Sequence, residues 1–320
     1  MTCADGEWRP AATPELLKLR ASMIANTRRF FDQRGLMEVD TPTLSAAAAS
    51  DVNIASLQTE VSAGRPRMLY LQTSPESAMK RLLSAGSGPI FQFARAFRDG
   101  EAGAGHNPEF LLLEWYRPGF SLRALMDEVA DLLQVLLEQD LPVEHMSYRE
   151  AFRRFAGLDP FTASFKAVTE LCRRSGFAGR LDDRNAGLDL LLSQRVQPAL
   201  SPRCVFLFDF PVEQAALARV RPGDPPAAER FELFVDGVEL ANGYQELTDA
   251  EELKNRIEAD GVRRRERGLP QVPVDFKLIQ ALEHGLPECA GVALGFDRLV
   301  ALKAGVGDIR QVMAFPIDRA

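Results

Sequence analysis

The sequence predicts an α+β fold in which an antiparallel sheet is flanked by helices. Three observations carry this. Apolar runs of strand length at Ile90 to Arg98 and Glu109 to Arg117 read as a long hairpin, Asp236-Gly237 supplies the favoured pair for a tight one, and amphipathic helical patterns stand on either side. At 320 residues, with 46% hydrophobic and 26% charged residues, the chain can enclose a substantial core, which excludes disorder and collagen-like order. One domain with an insertion is expected, divided into a tail at 1–13 and a body at 14–320, the insertion being largely helical around 140–200.

Thr13 can cap a helix led by Pro14, with Leu16, Leu17, Met23, Ile24, Thr27, Phe30 and Phe31 at helical spacing until Gly35. An extended stretch from Met37 ends at Pro42. Met68 to Gln72 reads as a buried strand, and Ser74-Pro75-Glu76 opens a helix that Gly86 closes. The hairpin follows, its strands joined by a Gly-rich loop at 99–108; loops of this length tend to be functional or mobile. Ser121 begins a helix through Gln139, whereas 148–200 shows helical patterns without a motif. Val205 to Phe210 is a short strand. Thr248 with Glu251 forms a capping box for a helix toward Arg267, ended by Gly268. Last, Gly291 to Leu294 is an apolar strand that breaks at Gly295 into a helix led by Phe296-Asp297-Arg298.

A net charge of −7 disfavours broad nucleic-acid binding, so any nucleotide site must be local. Cys3, Cys172, Cys204 and Cys289 lack metal-ligand spacing and match the usage of a reducing cytoplasm. No stretch has the length and apolarity of a membrane span. Strand alternation places Glu114 and Tyr116 on one face with Phe110 and Leu112, a pattern open to either a solvent-facing sheet or a pocket floor. Glu239 and Glu246, seven apart, converge only if Asn242-Gly243 bends or bulges their strand. Converging, they suit Mg²⁺; otherwise they are two solvated acids. Arg298, at a helix start, is either a surface arginine or the partner of a bound anion. His106, in the long loop, could touch a phosphate or simply brace the loop. The run Arg263-Arg264-Arg265 with Arg267 reads as a salt-bridged face or a docking surface. The scarcity of histidine, with only His106, His145 and His284, favours a chemistry needing positioning and charge neutralisation over proton removal.

These segments together resemble class II aminoacyl-tRNA synthetases, specifically the lysyl-tRNA synthetase catalytic domain, over nearly the whole chain. The helix and strand ending at Pro42 resemble the dimer-forming first motif. Ile90 to Arg117, with Phe97-Arg98 and His106-Asn-Pro-Glu-Phe110, is similar to the second, and Gly291-Val-Ala-Leu-Gly-Phe-Asp-Arg298 to the third. The resemblance implies a homodimer with the class II antiparallel sheet, using ATP and Mg²⁺. It implies Arg98 and Arg298 on the phosphates as catalytic residues, and Asp99, Gly100, Glu101, Asn107, Glu239, Leu240 and Gly295 in the ATP site. Glu239 and Glu246 would hold the metal. Ser74, Pro75, Glu76, Glu114, Tyr116, Glu246 and Ala293 would bind the amino acid. The family's Arg-Asn-Glu reads here Arg98-Asp99-Gly100-Glu101, displacing the adenine-contacting glutamate, and Ala293 stands where lysyl-tRNA synthetases have glycine.

Only 13 residues precede Pro14, where lysyl-tRNA synthetases carry an anticodon-binding barrel. With LEWYRP, GVELANG and the terminal DRA, this resembles the short paralogues that join (R)-β-lysine to a lysine of translation elongation factor P. The expected activity is therefore ATP-dependent activation of (R)-β-lysine or lysine and its transfer to that protein in the cytoplasm, without anticodon recognition. The alternatives are a tRNA-charging enzyme and a catalytically silent amino-acid sensor.

Overall fold

The computed structural model describes residues 8–62 and 67–320; Cys3 and residues 1–7 of the expected tail lie outside them. Helix α1 (Pro14–Asp32) begins as its cap requires, with Leu16 N donating to Thr13 Oγ1 at 3.4 Å. The chain then turns through Gly35 at φ +71°, a conformation that costs glycine nothing. Strand β1 (Met37–Glu38) is short, and β2 (Leu44–Ser45), β3 (Gln58–Val61) and β4 (Arg67–Leu71) form a separate sheet in the order β2-β4-β3. The strand expected at Met68–Gln72 is β4, but it is not buried as a whole. One face of this small sheet is covered, so alternation turns Leu69 inward and leaves Met68 46% exposed.

Helix α2 (Glu76–Ser84) follows, then the long hairpin of β5 (Ile90–Phe97) and β6 (Glu109–Pro118), then α3 (Leu122–Leu137) capped by Ser121. Strand β7 (Val143–Ser147), absent from the sequence reading, precedes α4 (Tyr148–Ala151), α5 (Phe165–Arg174), α6 (Arg184–Leu191) and α7 (Gln197–Ala199). The chain returns to the sheet in β8 (Cys204–Phe210), β9 (Val220–Arg221), β10 (Ala227–Val235) and β11 (Val238–Gln245). Asp236 and Gly237 both hold positive φ and make the two-residue turn between β10 and β11. Helix α8 (Ala250–Glu266) is capped by Asp249, not Thr248: the carboxylate adjoining the helix accepts from Glu251 N and Glu252 N, which the threonine one residue earlier does not. Helix α9 (Phe276–Gly285), also unanticipated, leads to β12 (Cys289–Gly295) and α10 (Phe296–Ala304).

The main sheet runs β1-β5-β6-β12-β11-β10-β8-β7, with β9 on β10. Its six inner strands are antiparallel. The edge pairings β1/β5 and β7/β8 are parallel, because long connections containing helices, not hairpins, join those strands. Odd-numbered β6 residues Leu111, Leu113 and Trp115 pack with Phe31 of α1 and with α3 and α10; Phe31 stacks on Phe91 at 4.7 Å and leans on Trp115 at 5.2 Å. Even-numbered residues face the other way. There α2 and α9 cover one end of the sheet and the helices after β7 cover the other, leaving a cavity between them. Among the described residues no helix is long and apolar enough to cross a membrane.

Asp297 ties three elements together at the edge of that cavity. At 2% exposure its carboxylate accepts from Arg20 Nη1 of α1 at 2.5 Å and from Leu111 N of β6 at 2.7 Å. Asp297→Ala leaves a largely buried guanidinium and a backbone amide without their acceptor, so a loss of roughly 3–5 kcal/mol is expected. A urea unfolding curve checks it through a lowered midpoint.

Candidate active site

The cavity, about 1240 Å³, has as its floor the face of the sheet that carries Glu114 and Tyr116. Strand register aligns Gln92, Glu114, Ala293, Asn242 and Glu232 in one row across β5, β6, β12, β11 and β10. The next row holds Tyr116, Gly291 and Tyr244. The pair Glu114 and Tyr116 therefore lies on a pocket floor, since the opposite face is packed on helices.

One end of the cavity is acidic and tightly bonded. Ser74 Oγ and Tyr116 OH each donate to Glu114 at 2.7 Å, and Glu114 is 2% exposed. Burial, with the neighbouring Glu76 charge, pushes its carboxyl up to about 7, the two donors and Lys80 opposing. Lys80 Nζ bridges Glu76 Oε1 at 2.7 Å and Glu246 Oε2 at 2.6 Å. Burial alone would neutralise this lysine, but Glu246 and Glu76 outweigh it and hold the ammonium charged. Burial also drives the Glu246 carboxyl upward. Neither Glu246 oxygen accepts a hydrogen bond among the described residues, Oε2 having only the ion-pair contact to Lys80.

Glu239 and Glu246 line the same cavity, but the bulge that reconciles their spacing is at Leu240, not at Asn242-Gly243. Leu233 pairs with Ala241 and Phe234 with Glu239, so Leu240 is the extra residue that resets the parity. Gly243 remains in regular register, pressed against Phe231 and the Gly291 carbonyl.

The other end is basic and carries the long loop. Arg298 Nη1 donates to Glu239 O at 2.8 Å and lies 3.8 Å from Glu239 Oε2; its Nε donates to Gly105 O at 3.2 Å, and its Nη2 to His106 Nε2 at 2.9 Å. An arginine only donates, so His106 accepts as a neutral imidazole. Burial and the Arg298 charge lower its pKa, with Arg98 adding to the effect and Glu101 and Glu239 opposing it. Arg98 lies over the Phe110 ring at 5.1 Å and 3.8 Å from Glu101, and its buried Nε finds no acceptor among the described residues.

Ser74, Glu76, Arg98, Glu101, Asn107, Glu114, Tyr116, Glu239, Leu240, Glu246, Ala293, Gly295 and Arg298, all expected at a site, line this single cavity. Asp99 and Gly100 lie on the exposed outside of the turn, where Gly100 takes φ +78° and carries the chain on to Glu101. Pro75 is buried at the start of α2. Asn107 braces the loop: its Nδ2 donates to Glu109 O and its Oδ1 accepts from Ile317 N. Most of the basic run is engaged internally, Arg263 with Asp260, Arg264 with the Pro270 and Asp51 carbonyls, and Arg267 with Asp183. Lys80 escaped the sequence reading because a Glu and Lys four apart on a helix look like an ordinary surface pair.

A family model described as tRNA synthetases class II (D, K and N) matches residues 7–319. The chain is 47% identical, over 98% of both lengths, to a protein of Klebsiella pneumoniae (strain 342) named elongation factor P (R)-beta-lysine ligase. Proteins of the same name in Pseudoalteromonas translucida (strain TAC 125) and Vibrio vulnificus (strain YJ016) are 48% and 47% identical, over 98% and 99% of this chain and 98% and 100% of theirs.

Gly291 makes the acidic end possible. A Cβ there would stand 2.4 Å from both Glu246 Oε1 and the Tyr116 ring, closer than atoms can pack. Gly291→Ala is expected to raise KM for the amino-acid substrate at least tenfold while leaving KM for the nucleotide within twofold. Steady-state kinetics with each substrate varied in turn checks this.

Proposed function

The chain belongs to the class II tRNA synthetases, and from that premise we propose that it activates (R)-β-lysine with ATP and transfers it to a lysine side chain of translation elongation factor P. The observation that carries the choice of substrate is the charge count at the acidic end. Glu76, Glu114 and Glu246 face one resident ammonium, Lys80, and so leave two negative charges unmatched when all are ionised. A diamino acid brings two ammonium groups; a monoamino acid with an apolar tail would leave a buried carboxylate unpaired, which is costly. The methyl of Ala293, beside Glu114 on the floor, narrows the space next to the amine and fits an amino group displaced along the chain.

At the basic end, Arg98 and Arg298 would neutralise the phosphates. The amino-acid carboxylate oxygen attacks the α-phosphorus, the bond to the bridging oxygen breaks, and pyrophosphate leaves. The neutral amine of the acceptor lysine then attacks the adenylate carbonyl, AMP departs, and the amine loses a proton to solvent. Positioning and charge neutralisation drive both steps. Mg²⁺ belongs to the same proposal. The Glu239 carboxylate, with only a 3.8 Å contact to Arg298, is the hard donor that would hold this ion beside the phosphates, while Glu246 lies at the acidic end. Bound there, the ion would supply further charge neutralisation at the phosphates. The homodimer expected from the first motif is part of this reading, with Met37 and Leu44 exposed along that segment.

Offering labelled (R)-β-lysine or lysine with elongation factor P and with tRNA separately tests the proposal. Transfer of the β isomer to the protein alone is expected; transfer to tRNA alone would overturn the acceptor. Arg98→Ala is expected to abolish ATP–pyrophosphate exchange in a protein that keeps its thermal midpoint. A pH dependence also follows. Glu114 faces Glu76, Lys80, Ser74 and Tyr116, with Glu246 beyond Tyr116, and only its ionised form pairs with an ammonium. With its carboxyl near 7, KM for the diamino acid is expected to rise about tenfold between pH 8 and pH 6 as the carboxylate fraction falls. Exchange assays across that range check the sign.

A further inference from the structure

Lys80 stands behind the acidic end without lining the cavity, whereas its partners Glu76 and Glu246 both do. It is 2% exposed and anchored in α2, whose neighbours Met79 and Leu83 pack on α9 and on the floor residues Ile90 and Tyr116. Its ammonium pairs by charge with Glu246 Oε2 at 2.6 Å; neither Glu246 oxygen accepts a hydrogen bond among the described residues, so Oε1 is left with neither donor nor cation. On the far side Gly291 admits Glu246 to a place no other residue would allow. The carboxylate is thus pinned from behind by a charge and let in from the front by a missing side chain.

Resting on the function proposed above, we infer that Lys80 is a positioning and specificity-determining residue: it aims the free oxygen of Glu246 at the amino-acid pocket and never touches the substrate. The alternative is that Lys80 merely stabilises α2. A stabilising role would lower activity toward both substrates together. A positioning role acts on the amino acid alone and only through Glu246.

The test is a double-mutant cycle of Lys80→Met and Glu246→Gln read by ATP–pyrophosphate exchange, with KM measured for the diamino acid and for ATP. K80M is expected to raise KM for the diamino acid at least tenfold and leave KM for ATP within twofold. Adding K80M to E246Q is expected to change KM for the diamino acid less than threefold, because the group it positions has already gone. A tenfold further rise on that background, or equal rises for ATP and amino acid, overturns the inference. Should K80M alone fail to fold, comparison of E246Q with K80M/E246Q, which leaves neither member of the buried pair unmatched, carries the decision by the same threshold. Absence of exchange by the parent protein with any diamine would instead count against the proposed function.

Discussion

Three carboxylates, two of them almost fully buried, share a pocket with one lysine, and this crowding of like charge governs the rest of the molecule. A buried carboxylate without a cation or donors is too costly to keep, so each has its own arrangement. Glu114 receives two hydroxyl donors, Glu246 shares Lys80 with Glu76, and burial drives the carboxyls of Glu114 and Glu246 upward. The deficit of positive charge that remains is what a ligand with two ammonium groups would fill.

The sheet makes this crowding tolerable by dividing labour between its faces. Leu111, Leu113 and Trp115 bury themselves under α1, α3 and α10, and this apolar face anchors the strands whose other face carries Glu114 and Tyr116. Asp297 joins α1 and α10 to β6 and stands next in sequence to Arg298, so the basic end is held by the framework that supports the acidic end. Between the two, the bulge at Leu240 lets one strand contribute a carboxylate to each.

The long loop at 99–108 folds onto Arg298, with His106 and the Gly105 carbonyl taking up the guanidinium donors. Arg98 keeps a buried nitrogen without an acceptor. Charge is therefore balanced differently at the two ends: by close side-chain pairs at the acidic one, and at the basic one by backbone carbonyls and a neutral imidazole, with the Glu101 and Glu239 carboxylates 3.8 Å from the guanidinium groups.

Much of this was legible in the residues. Thr13, Ser121, Asp236-Gly237 and the strand-to-helix break at Gly295 act through local geometry, so the helix starts, the tight hairpin and the place of Arg298 could be read directly. Period-two alternation put Glu114 and Tyr116 on one face, but which face was covered depended on α1, α3 and α10 arriving from distant parts of the chain. The edge strand β7, the location of the bulge and the burial of Lys80 depended on tertiary contacts. The pairing of β7 is decided by the β8 edge it meets, a bulge is set by the partner strand's register, and a Glu–Lys pair on a helix looks the same whether it meets water or a pocket wall. By itself the sequence determined local turns, caps and the residue types available for chemistry; only the packing of the sheet decided which charges would be buried together, because the cost of burial exists only once water has been excluded.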